Sequence, residues 1–389
     1  LMWNFDEIIN REGTDCIKYD WRSEVFGKAD VIPMWVADMD FRTPSFVTDA
    51  ISERLKHEIL GYSFRPDSYF DAFVGWVSAL HGWNIRREWI EFSPGVVPAL
   101  NMCTLAYTEP GDEIIIQPPV YTPFHGAVKD HGRKLLYNNL KETAGGWVMD
   151  FEGLRETITP ATKLIIISNP HNPVGRAWQH AELAELADIC YANGIVILSD
   201  EIHSDLVLPG NVHVPLASLS DRAAAITVTC MAPSKTFNLA GLSTSSMIIP
   251  DAGLREKYRE ILVGLHLHLG NIFGNVASEA AYSKGSEWRS EMITYIQGNI
   301  DLVIDYCHAH LPQIKPVKPE ATYMMWLDCR QMGLSGKELH RFFIEKAGVG
   351  MNEGSAFGPG GEGFMRINLA CPRSVVEKAL KQIDRAVNV

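Results

Sequence analysis

The sequence predicts an α/β protein with a largely parallel sheet, joined to a smaller α+β domain. Two patterns lead there. Through the middle of the chain, short β-rich apolar runs alternate with longer amphipathic stretches, the pattern of βαβ units. In the last third the alternation stops, and a long helical pattern gives way to mixed strands and helices.

Taken in order, residues 97–107 read as a helix, opened by Ser93-Pro94-Gly95. Residues 113–117 (Glu-Ile-Ile-Ile-Gln) read as a strand closed by Pro118-Pro119, and 164–168 (Leu-Ile-Ile-Ile-Ser) as another. Leu183, Leu186, Ala187 and Cys190 stand at helical spacing within 179–192. Strands follow at 195–199 and 225–229, and one long helix is expected over 276–310. Beyond it come strands at 323–327 and 364–369 and helices at 337–347 and 373–386. This divides the chain into a large α/β domain, residues 46–285, and a small domain of residues 1–45 with 286–389.

Composition narrows the function. Apolar residues make up 46% of the 389 and charged residues 21%, an ordinary balance for a folded globular chain. Forty-seven acidic against 35 basic residues give a net charge of −12, which argues against a general nucleic-acid or anionic-membrane binder. No apolar run approaches the ~20 residues of a membrane-spanning helix. The first residues lack the basic and apolar regions of a signal peptide. The seven cysteines are scattered without a CxxC pair. Together these predict a cytoplasmic protein with reduced thiols.

In open α/β sheets ligands gather beyond the carboxyl ends of the strands. There the sequence places Asn169-Pro170-His171-Asn172-Pro173-Val174-Gly175, then Asp200-Glu201-Ile202-His203, then Ala232-Pro233-Ser234-Lys235-Thr236-Phe237-Asn238. Ser93-Pro94-Gly95-Val96-Val97 adds a helix N-terminus. Each piece alone has an ordinary reading: a turn, a cap, a surface lysine. Four such pieces at one sheet edge suit pyridoxal phosphate (PLP) chemistry. A lysine forms a Schiff base with the aldehyde. A carboxylate keeps the pyridine nitrogen protonated. An amide bonds the ring oxygen, and helix N-terminal N–H groups hold the phosphate.

Other patterns read as unrelated to catalysis. Asp38-x-Asp40 lacks the histidines of a metal site. His266/His268 and His308/His310 are spaced i, i+2, on different faces of a helix. Gly358-Pro359-Gly360-Gly361-Glu362-Gly363 fits GxGxxG but precedes a strand. It fails the dinucleotide context and reads as a surface loop able to close over the site.

At Ser-Asn-Pro-His-Asn-Pro-Val-Gly (168–175), Asp-Glu-Ile-His (200–203) and Ser-Lys-Thr-Phe-Asn-Leu-Ala-Gly (234–241), the chain resembles the fold type I PLP enzymes of the aspartate-aminotransferase superfamily. That resemblance implies a mostly parallel seven-stranded sheet flanked by helices. It implies Lys235 as the Schiff-base lysine, Asp200 as the partner of the pyridine nitrogen and Asn172 as the donor to the ring oxygen. Tyr121, in Pro-Pro-Val-Tyr, would stack on the ring. Gly95, Val96, Val97 and Ser234 would hold the phosphate, with Tyr62 reaching it from the other subunit of a homodimer. Arg366 would clamp the substrate α-carboxylate as a bidentate pair, beside Asn172 and Ala37.

Within the superfamily the chain is similar to the MalY/PatB-type C–S lyases. The similarity lies in Val31-Ile32-Pro33-Met34-Trp35-Val36-Ala37-Asp38-Met39-Asp40-Phe41, Gly61-Tyr62 and the stretch 232–241. His203 stands where aminotransferases carry a tyrosine, and Ser243 where they carry a phosphate-binding arginine. Both departures belong to the lyase branch. The second throws more phosphate binding onto amides, hydroxyls and Tyr62. The resemblance therefore implies α,β-elimination from a cysteine-like amino acid, with Lys235 moving the Cα proton. Lys235, or Tyr121 through a water, would protonate the leaving sulfur. Two alternatives remain: an aminotransferase, which shares every cofactor residue, and a regulatory PLP-binding protein with little turnover.

Overall fold

The computed structural model describes residues 2–388. Its centre is a seven-stranded sheet made of β1 (Ile90–Ser93), β2 (Glu113–Ile116), β3 (Lys134–Tyr137), β4 (Thr162–Ser168), β5 (Val196–Asp200), β6 (Thr227–Met231) and β7 (Ser245–Ile248). They lie in the order β1-β7-β6-β5-β4-β2-β3, and only β7 runs against its neighbours. The mostly parallel seven-stranded α/β fold is therefore present.

Strand alternation explains why these runs are apolar throughout. Leu164 and Ile166 join a cluster with Val96, Leu100 and Phe124 on one face. Ile165 and Ile167 join Leu183, Leu186 and Trp178 on the other. Val96 and Leu100 come from α1 (Val96–Tyr107), and Leu183 and Leu186 from α2 (His180–Ala192). The second starts from a capping box, with Gln179 and Glu182 bonding each other's backbone N–H.

The C-terminal part forms a four-stranded antiparallel sheet from Lys315–Val317, Met324–Asp328, Asn352–Glu353 and Phe364–Asn368. Helices Ser286–His310 and Arg373–Val387 pack against each other beside it. Ile32 and Pro33 pair in parallel with Val349 and Gly350, tying the N-terminal segment to this region.

Three expectations need correction. The long helix is two helices, Ile272–Lys284 and Ser286–His310, parted at Gly285. A Cβ at Gly285 would stand 2.2 Å from Phe237 Cζ and 2.4 Å from the Ala281 carbonyl, so the gap is filled by the buried ring of the lysine-bearing loop. The strand expected at 225–229 begins at Thr227, because Ser220 accepts from Ala223 N–H and caps a short helix over Asp221–Ile226. The helix expected over 337–347 is α-helical only at Gly336–Arg341 and widens to a π-helix over Phe342–Ala347.

Candidate active site

Register sets the site. Ser168 pairs with Asp200, and Asp200 with Cys230, so β4, β5 and β6 end level. The residues that follow them converge on a cavity of about 200 Å³. Its walls include Asn172 after β4, Asp200 and His203 at β5, and Ser234 and Lys235 after β6. Gly95, Val96 and Val97 at the start of α1 form one end, with Ser243 and Thr244. Tyr121 and Ala37 complete the lining.

Lys235 Nζ donates to the Ala37 carbonyl at 2.6 Å. Desolvation and the nearby Arg366 charge lower its pKa to about 8, against the pull of Asp38 and Asp200. Asp200 is buried, and its side chain accepts from Ile202 N–H at 3.2 Å. Burial raises its pKa to about 7. Burial likewise drives His203 down to about 3, so its imidazole is neutral, and among the described residues its Nδ1 has no hydrogen-bond partner.

Arg366 stands beside the cavity. Its Nη1 donates to Asn172 Oδ1 at 3.0 Å, and Nη2 to Asn352 Oδ1 at 2.8 Å and the Trp35 carbonyl at 3.2 Å. Its guanidinium lies over the Phe357 ring, 4.8 Å from the centroid. Every acceptor is neutral, and burial lowers its pKa to about 10.

The segment 35–39 crosses the site with its backbone held by side chains from several elements. Arg366 takes the carbonyl of Trp35, and Asn368 those of Val36 and Asp38. Tyr323 joins Lys235 on that of Ala37, at 3.0 Å. Asn238, at φ +59°, both donates to Met39 O and accepts from Met39 N–H. Tyr323, Asn238, Asn352 and Asn368 were not singled out from sequence. Arg366 and Asn368 share a strand face by period two, the one local signal available.

Tyr62 is elsewhere, on the surface of its own chain and 97% exposed. Asp38 and Asp40 are held by Arg11, and the buried Lys18 bonds Asp40 at 3.0 Å. Among the described residues no group of three histidines, cysteines or carboxylates could hold a metal ion.

The glycine-rich loop 358–363 lies largely at the surface, with Gly360 and Glu362 exposed and Gly361 buried. The residues just before it are anchored: Val120 N–H donates to Phe357 O, and Thr122 Oγ1 to Ala356 O. A Cβ on Gly361 would lie 1.9 Å from the Gly354 carbonyl oxygen.

Comparison with known proteins agrees with this architecture. Residues 30–383 match the family model for aminotransferase class I and II, and the chain belongs to that family. Cystathionine beta-lyase PatB of Bacillus subtilis (strain 168) is 47% identical over 386 residues, which cover 99% of this chain and 100% of that one. The structure of cystalysin from Treponema denticola, which contains a pyridoxal 5'-phosphate cofactor, superposes with a TM-score of 0.97. It is 34% identical and covers 100% of this chain and 99% of its own. The PLP-bound C–S lyase of Staphylococcus hominis has a TM-score of 0.91 and 36% identity, covering 99% of this chain and 98% of that one.

Proposed function

We propose that the protein is a PLP-dependent C–S β-lyase, which converts L-cystathionine, L-cysteine or related S-conjugates, with one water, to pyruvate, ammonia and a thiol. The observation that carries this reading is the cavity itself. It brings a lysine with a lowered pKa together with a buried carboxylate that makes no salt bridge among the described residues. Pyridoxal 5'-phosphate suits these residues: an aldehyde for Lys235, a pyridine nitrogen for Asp200, and a phosphate for the start of α1 with the Ser234 and Ser243 hydroxyls. Identity to PatB across the whole chain favours elimination over the other reactions of the family.

When bound, the cofactor supplies an aldehyde that captures the substrate amine and a protonated ring that takes up electron density from Cα. The protein's own groups do the rest. Asp200 holds the proton on the ring nitrogen. Asn172, with Oδ1 engaged by Arg366, offers Nδ2 as a donor to the ring oxygen. Arg366 receives the substrate α-carboxylate, the one anionic partner its neutral acceptors leave room for. Lys235, with a pKa near ambient pH, takes the Cα proton as a general base. It then returns a proton toward the leaving sulfur, alone or with Tyr121 through a water.

We further propose a homodimer in which Tyr62 reaches the partner's phosphate. Ile59, Leu60, Tyr62 and Phe64, with Leu265, Leu267 and Leu269, are large exposed apolar side chains, and a hollow joins residues 60–63 to 269–273. The division at 46–285 and 1–45 with 286–389 is proposed too, supported by the separation of the seven-stranded sheet from the four-stranded one. A cytoplasmic location is proposed from the seven free cysteines, six of them buried.

Incubation of the PLP-loaded protein with L-cystathionine, without a keto-acid acceptor, tests the activity. Sustained multiple-turnover pyruvate is expected. A single conversion of the cofactor to its pyridoxamine form, without pyruvate, would make the protein an aminotransferase instead.

A further inference from the structure

Arg366 is a buried cation that the protein orients without neutralising. Of its three acceptors, Asn172 already belongs to the cavity and Trp35 contributes only a backbone carbonyl. The third is Asn352, on the two-residue edge strand that pairs antiparallel with Phe364–Asn368. Asn352 stands directly opposite Arg366 in that ladder, so the two share a face.

The next residue is a glutamate. Strand alternation turns Glu353 to the other side. There its carboxylate accepts from Ser355 N–H at 3.0 Å, bonds the Ser355 hydroxyl, and caps the short turn Gly354–Phe357. The ladder thus places a neutral amide against the guanidinium and keeps an adjacent carboxylate off it. A carboxylate at 352 would occupy the position of the amide oxygen, 2.8 Å from Nη2. It would form an internal ion pair with Arg366 and compete with any incoming carboxylate.

We propose that Asn352 is a positioning residue that sets the affinity for the substrate carboxylate: its neutral oxygen fixes the Arg366 fork and leaves the positive charge for an amino-acid ligand. This rests on the reading of Arg366 as the carboxylate clamp.

The test compares PLP-loaded wild type with Asn352→Asp, Asn352→Ala and Arg366→Ala. Pyruvate kinetics with L-cystathionine give kcat and KM. Binding of L-alanine, which lacks a leaving group, is read from the change in cofactor absorbance. Ethylamine, which is L-alanine without its carboxylate, is the control ligand. For Asn352→Asp, KM and the L-alanine Kd should rise at least about tenfold, with kcat within about threefold and ethylamine binding unchanged. For Asn352→Ala both constants should rise about three- to tenfold, from the loss of one hydrogen bond to a charged group. Unchanged L-alanine binding in Asn352→Asp, a fall in kcat at constant KM, or equal weakening of ethylamine would overturn the proposal. If Asn352→Asp does not fold, unchanged constants in Asn352→Ala overturn it. Arg366→Ala separates the two readings. If it binds L-alanine as wild type does, the clamp itself is wrong. If it loses binding while Asn352→Asp keeps it, only the role of Asn352 falls.

Discussion

Asp200 stores a cost that depends on pH. Its pKa is about 7 in the folded chain against 3.8 ordinarily. Between those values the folded state holds more protons than the unfolded one, so stability falls as pH rises through that window, and the full penalty is present above it. Cofactor-free Asp200→Asn should therefore melt above cofactor-free wild type at pH 8, by about 2–4 °C, with the difference vanishing near pH 4. Thermal melts at the two pH values check this; equal midpoints at pH 8 would show that the carboxylate is not held against its ionisation. The same replacement should abolish pyruvate production in the presence of PLP, so one substitution stabilises the empty chain and disables the loaded one.

At the scale of elements, the site depends on a gap between two helices. Gly285 admits the ring of Phe237, two residues beyond Lys235. Gly285→Ala puts a methyl group where that ring lies and should cost about 1–3 kcal/mol, while shifting the lysine loop. Lower thermal stability together with weaker PLP retention is the expected result. A loss of stability with unaltered retention would uncouple the gap from the site. This gap also shows what the sequence could not disclose. The apolar pattern of 276–310 reads as one helix, since a single glycine inside a helical pattern costs only about 1 kcal/mol. The break comes from a side chain 48 positions away in sequence. In contrast, Asn172, Asp200 and Lys235 were legible because each follows a strong apolar strand, and strand ends in a parallel sheet share an edge. Asn352 and Tyr323 were not, because their importance lies in a ladder pairing and in a carbonyl at position 37.

On the scale of the whole molecule, Tyr62 separates two architectures. If it serves the partner's cavity, inactive Tyr62→Ala and inactive Lys235→Ala chains should regain activity when unfolded and refolded together. A mixed dimer then contains one cavity with both groups intact. Recovery should approach about a quarter of the wild-type rate, since half of the dimers in an equal mixture are mixed and each has one of two sites. No recovery, although mixed dimers form, would place Tyr62 outside the partner's site.

The segment 35–39 has a consequence for how the protein matures. Its backbone is gripped by Lys235 and Asn238 from the middle of the chain and by Tyr323, Arg366 and Asn368 from near its end. A nascent chain that has emerged only as far as the lysine loop lacks the other half of that grip. The cavity lining itself lies within residues 37–244; the last strand, Phe364–Asn368, adds Arg366 beside it and the hold on residues 35–39. The walls of the socket and the side chains that clamp the segment across it are thus drawn from different stretches of the chain, and part of the clamp is the last to be made.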